Sequence, residues 1–250
     1  GEGTTIAILD TGIRLNHEAF SVVPQSIELT QDELQARIDA AGSSFNAGTN
    51  LSQLYKSGKI PFAYNYYKQS YNPAHDSSAH GSHVAGIAAG NNGSNFKGVA
   101  PDAQLIVMHV FQPSGGAAWT EILSALEDCA YLGVDSANMS LGSSCGFTNY
   151  NGYGYEESFA LLRQAGVNLS VAAGNDEDAT VGNRWGSGRQ IAYNPDYGVV
   201  GSPSTWPESL SVASSTKGSG TPLSGFSSRG TTSDLKIKPE ILAPGSAIYS

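Results

Sequence analysis

The feature that most constrains this chain is an alternation of short apolar runs with segments of helical period. TTIAILD (4–10), IPFAYNYY (60–67), QLIVMHV (104–110), SANMSL (136–141), VNLSVAA (167–173) and SLSVAS (209–214) read as strands, and the segment around ILAP (241–244) completes the set. Between them lie helix candidates. TQDELQARIDAAG (30–42) opens with Thr30 and Glu33 as a capping box, and Leu34, Ile38 and Ala41 share one face. A second helix begins near His80, in HGSHVAGIAAG. WTEILSALEDCAYLG (119–133) places Ile122, Leu126 and Ala130 at helical spacing and stops at Gly133, while YEESFALLRQAG (155–166) stops at Gly166. Strand–helix–strand repetition predicts an α/β protein: a mostly parallel sheet covered by helices on both faces, with its chemistry at the carboxyl ends of the strands. Residues 43–59 and 175–208 read as long loops, and KGSGT (217–221) as a flexible joint.

Composition narrows the function classes. A chain of 250 residues can bury one sizeable core or two small ones. With 40% hydrophobic and 14% charged residues it is neither disordered nor a coiled coil. The formal charge of −9 repels nucleic acid and anionic membranes, so neither is an expected partner. No apolar run approaches the roughly 18 residues of a membrane helix. The two cysteines, Cys129 and Cys145, are too few for a disulfide scaffold and match no zinc spacing; two idle thiols or one bridge both fit. The opening GEGTTIAILD and the closing IYS both read as cut ends.

A few residues could carry chemistry. Asp10 ends an apolar strand before Thr11 and Gly12, where an acid is costly unless paired. It could cap the next turn, serve as one half of an aspartic-peptidase D-T-G pair, or orient a histidine. His80 stands at a helix entrance followed by the small residues Gly81, Ala85, Gly86, Ala88 and Ala89, a position that favours the neutral imidazole a general base requires. His83 lies three residues on and could share a metal with it, but no Glu follows His80 in an H-E-x-x-H pattern, and a structural role is expected. His109, inside a strand, is expected to be a satisfied core residue. Asn175 ends SVAAGN and presents an amide at the sheet's carboxyl edge, where its N–H could meet a developing oxyanion. Ser140, Leu141 and Gly142 end the preceding strand.

Taken in order, AILDTGI (7–13), HGSHVAGIAAG (80–90), GVAPDAQLIVMHV (98–110), NMSLG (138–142), SVAAGN (170–175), SVAS (211–214), FSSRG (226–230) and KPEILAPG (238–245) resemble the subtilisin-like serine peptidases. The longer gap between Asp10 and His80, PFAYNYY, and NPDYGVVGSPSTWPESLSVAS (194–214) are most similar to the Gram-positive cell-envelope proteinases, the group of lactocepin and C5a peptidase. The resemblance implies a three-layer subtilisin-like fold forming one peptidase domain over residues 1–250. It makes Asp10 the triad acid, His80 the general base and Asn175 the side-chain oxyanion donor. Ser140, Leu141 and Gly142, with Ala172, Ala173 and Gly174, would form the backbone strands that flank the pocket for a substrate side chain. It further implies a polypeptide substrate, no required cofactor, a monomer, and a secreted or cell-surface location on the bacterial envelope.

The sequence departs from the family pattern in four places. No G-T-S-M-A-type segment occurs, so the attacking serine is expected beyond Ser250 and residues 1–250 alone are expected to be inactive. SVASSTKGSGTPLSGFSS leaves no room for the protease-associated domain of the envelope group. Ser82 stands where Thr is usual, and either residue supplies a hydroxyl. GNNGSNFKGVAP (90–101) is short, which argues against a calcium loop. Two rivals remain at this stage: a peptide-binding pseudoenzyme, and an aspartic peptidase that pairs two copies of Asp10 in a homodimer.

Overall fold

The computed structural model describes residues 1–75, 78–143, 146, 148, 155–176, 200–217, 222–232 and 234–250. The chain divides into two compact units, residues 1–138 with 153–168 and 250, and residues 139–152 with 169–249.

In the first unit four strands, β1 (Thr5–Asp10), β2 (Phe62–Asn65), β3 (Gln104–His109) and β4 (Ser136–Met139, which ends at the unit boundary), run in the order β2-β3-β1-β4. β1 pairs β3 in parallel from Thr5 opposite Gln104 to Asp10 opposite His109, and β2 pairs the other side of β3. All six residues of β3 are buried. A strand buried along its whole length requires that both its faces be covered. Alternation along β3 shows the two covers. Leu105 and Val107 join Ile8, Ala63, Ala85 and Ala89 in a core beneath helix α3 (His80–Ala89). Met108 points the other way, and its Sδ lies 3.4 Å from the Cys129 Sγ of helix α4 (Trp119–Tyr131). Helices therefore pack on both faces, as the alternation predicts.

The remaining helices are α1 (Gln31–Ala41), α2 (Leu51–Leu54) and α5 (Tyr155–Ala165). Thr30 accepts the Glu33 N–H at 3.2 Å at the start of α1, which is half of the expected capping box; the Glu33 carboxylate turns to Arg37 instead. Leu34 and Ile38 are buried, whereas Ala41 is only half-buried. Trp119 and Tyr155 pack edge to face at 4.1 Å between centroids where α4 meets α5. Cys129 is a buried free thiol whose pKa burial pushes well up; Cys145 lies outside the described residues.

The expectation of a loop over 43–59 is corrected. Residues Gly42–Ser44 form a 3-10 turn and Leu51–Leu54 a single helical turn. A long-range anchor accounts for this order. The Asp128 carboxylate of α4 accepts the Asn46 and Ala47 N–H groups, each at 2.8 Å, and the Tyr66 hydroxyl at 2.8 Å.

In the second unit β5 (Asn168–Ala172), β6 (Leu210–Ser215) and β7 (Ile241–Pro244) follow in order, all parallel. The expected loops at 175–208 and 217–221 lie mostly outside the described residues.

Burial raises the Asp128 pKa to about 6, against the opposing pull of its hydrogen bonds. The folded chain therefore binds more protons there than the unfolded chain, and this contribution to stability is full below the ordinary carboxylate pKa and is lost as pH rises through about 6. Denaturant titrations should show native stability falling relative to Asp128→Asn by on the order of 3 kcal/mol between pH 3.5 and 7. A pH-independent difference would contradict the shift.

Candidate active site

Asp10 closes β1 with its carboxylate 1% exposed, so its oxygens must find donors inside the protein. Oδ1 accepts the Thr11 N–H at 2.7 Å. The same carboxylate meets His80 Nδ1 at 2.8 Å through Oδ1 and 3.0 Å through Oδ2. An ionised carboxylate can only accept, so this contact places the imidazole proton on Nδ1 and leaves Nε2 with a free lone pair. The imidazole is half exposed. Its pKa is raised, chiefly by the hydrogen bond to Asp10, with desolvation opposing and the charge of Asp10 assisting. The helix entrance on its own favours the neutral ring. The carboxylate outweighs it.

Two glycines allow the contact. A Cβ on Gly81 would stand 2.4 Å from the Gly12 carbonyl oxygen and 3.1 Å from Asp10 Oδ1, so only a glycine lets α3 come this close to β1. Gly12 has a φ of +84°, and a Cβ there would stand 2.2 Å from the Pro73 carbonyl oxygen. Thr11 ties the two elements together: its hydroxyl accepts the Gly81 N–H at 2.9 Å and donates to the Ser78 carbonyl at 3.0 Å. Ser82 accepts the Arg14 N–H at 2.9 Å, so its hydroxyl serves here without the methyl of a threonine.

Other candidates fall outside this pair. His109 is buried as expected, with Nδ1 2.9 Å from Asn65 Nδ2. His83 is exposed on α3, and its backbone carbonyl accepts the Ser250 hydroxyl at 2.9 Å. Among the described residues no three His, Cys, Asp or Glu side chains gather as a metal site.

The remaining predicted residues belong to the second unit. Asn175 is exposed just past β5, following Gly174, whose φ is +116°. Ala173 accepts the Gly201 N–H at 2.8 Å, and Ser202 exchanges two backbone hydrogen bonds with Ser143. Residues 201–202 thus lie between the segment that follows Ser140, Leu141 and Gly142 and the segment Ala172, Ala173 and Gly174. Sequence reading did not find this intervening pairing, because 200–202 carries no periodic signal.

Two variants check the geometry of the first unit. Asp10→Asn should lower the His80 pKa, because an amide cannot stabilise an imidazolium as a carboxylate does; the ring-proton titration measured by NMR reads this directly. Gly81→Ala should push α3 away from β1, destabilise the fold by about 1–3 kcal/mol and lower the same pKa. An unchanged titration in both variants would show that the contact does not hold the proton.

Comparison with known proteins bears on the family and the fold. The subtilase family profile (Peptidase_S8) matches residues 1–250. C5a peptidase of Streptococcus pyogenes serotype M6 is 30% identical over 222 residues, covering 86% of this chain and 18% of the relative. The PIII-type proteinase of Lactococcus lactis subsp. cremoris is 32% identical over 231 residues, covering 86% of this chain and 11% of the relative. The chain thus spans less than a fifth of these relatives, which are the group expected from the motifs. A cold-adapted subtilisin-like serine proteinase superposes with a TM-score of 0.60 at 22% identity over 99% of this chain and 64% of the other. The S41 psychrophilic protease superposes with a TM-score of 0.64 at 24% identity over 100% and 68%. The α/β fold is subtilisin-like, and the chain belongs to the subtilase family.

Proposed function

We propose that this chain forms part of a serine endopeptidase that hydrolyses peptide bonds through an Asp-His-Ser triad. The observation that carries this reading is the contact between the buried Asp10 carboxylate and His80 Nδ1 at 2.8 Å, in a chain of the subtilase family. Asp10 holds the ring in the tautomer whose Nε2 can accept a proton. His80 takes that proton from a serine hydroxyl supplied by the polypeptide beyond Ser250, and the serine oxygen attacks the scissile carbonyl carbon. Asn175 and a backbone N–H stabilise the tetrahedral oxyanion. His80 then returns the proton to the leaving amine, and water repeats the cycle on the acyl-enzyme.

Substrate lies as an extended strand beside Ser140, Leu141 and Gly142, because main-chain pairing binds polypeptide with little demand on its sequence, and Ala172, Ala173 and Gly174 flank the other side of the pocket that takes one of its side chains. This chemistry requires no cofactor. The acid and base act by proton transfer, and the oxyanion is met by N–H groups. The relatives support a secreted or cell-surface location. No helix among the described residues is long and apolar enough to cross a membrane.

In a polypeptide that extends past Ser250, His80→Ala should lower kcat/KM for a peptide substrate by about 10⁴-fold or more. Asn175→Ala should lower kcat by about 10²–10³-fold. A serine-directed organophosphate should label that polypeptide and leave residues 1–250 unlabelled and inactive. Near-normal turnover by His80→Ala would remove the base from the mechanism. Peptide cleavage by residues 1–250 alone would show that the nucleophile lies within them, and tight peptide binding without turnover by the extended chain would favour a pseudoenzyme.

A further inference from the structure

Resting on the reading of Asn175 as oxyanion donor, we infer that Ser228 is a positioning residue that fixes the turn bearing this amide. Its side chain is fully buried, whereas Asn175 is exposed. Ser228 grips both neighbours of Asn175. Its backbone N–H donates to the Gly174 carbonyl at 2.9 Å, and its Oγ accepts the Asp176 N–H at 3.1 Å.

The two sides of this clamp are closely fitted. A Cβ on Gly174 would stand 2.6 Å from Ser228 Oγ, so the serine hydroxyl occupies the space that the glycine leaves empty. The φ of +116° at Gly174 turns the chain so that its carbonyl and the Asp176 N–H face the same serine. Ser228 is in turn anchored to β6. The adjacent Ser227 Oγ accepts the Ser214 N–H at 2.9 Å, and Ser224 N–H donates to the Ser214 carbonyl at 2.8 Å. Ala173 N–H donates to the Val212 carbonyl at 2.9 Å on the same strand. The path from β6 through Ala173, Gly174, Asp176, Ser228 and Ser227 back to β6 is a closed ring of short contacts. Asn175 is carried on that ring as an exposed side chain on a fixed support. An oxyanion donor acts by being aimed before charge develops, so loosening its support costs transition-state stabilisation more than substrate binding.

The test is steady-state kinetics on the full serine-containing polypeptide with a chromogenic peptide anilide. Ser228→Ala should lower kcat on the order of tenfold and leave KM within about twofold. Ser228→Cys keeps the shape of the side chain with a slightly larger atom that is a weaker acceptor, and it should lower kcat similarly where the alanine variant folds poorly. In an Asn175→Ala background either substitution should have no further effect on kcat, because the turn then carries no amide to aim. A wild-type kcat in both serine variants overturns the proposal. So does an undiminished effect in the Asn175→Ala background, which would mark Ser228 as structural only. If Asn175→Ala alone leaves kcat unchanged, the oxyanion assignment fails, and the role of Ser228 fails with it.

Discussion

A carboxylate out of reach of water is the constraint around which the first unit is arranged. Asp10 cannot stay ionised at the end of a buried strand without donors, and the Thr11 N–H supplies only one. The imidazole of His80 supplies the other, which requires helix α3 to approach β1 until backbones almost touch. Gly81 and Gly12 make the approach sterically possible, and the Thr11 hydroxyl fastens it. The same arrangement that neutralises an expensive burial fixes the tautomer of a ring that is half exposed. Stability and chemistry thus share one contact.

Buried polar side chains do comparable work elsewhere by fastening connections that have no regular structure. Gln104, fully buried at the start of β3, bonds both backbone groups of Leu29 and the carbonyl of Gly58. The Lys59 ammonium is buried against the carbonyls of Pro101 and Ala103, and burial lowers its pKa to about 8. In the second unit Lys238 reaches the Ser209 carbonyl at 2.6 Å and the Glu240 carboxylate at 2.6 Å. Leaving any of these groups without its partners would cost about 1–3 kcal/mol or more, so each defines one conformation of the loops it touches.

The strands and helices were largely readable because their signals are local. Period and stop residues placed α4 and α5 within one or two residues of their observed ends. The order within 43–59 was not readable, because it depends on Asp128, a residue that helical periodicity marks only as a place on α4. The Glu33 half of the capping box failed for a similar reason: Arg37, one turn on, competes for the same carboxylate. In the candidate site, D-T-G and H-G-S-H marked Asp10 and His80, and the family resemblance supplied their roles. Nothing in F-S-S distinguished Ser228, since a serine that accepts one backbone N–H has no sequence signature.

By itself the sequence determined the layered α/β architecture and the identity of the side chains able to exchange protons, since hydrophobic period and residue chemistry are properties of short segments. The tertiary structure alone decided which groups meet: that Asp10 faces His80 Nδ1, that Gly81 is needed for its missing Cβ, that Asp128 is buried and titrates high, and that Ser228 closes around the turn of Asn175. Those outcomes depend on distances between residues far apart in the chain, and such distances exist only once the elements have packed.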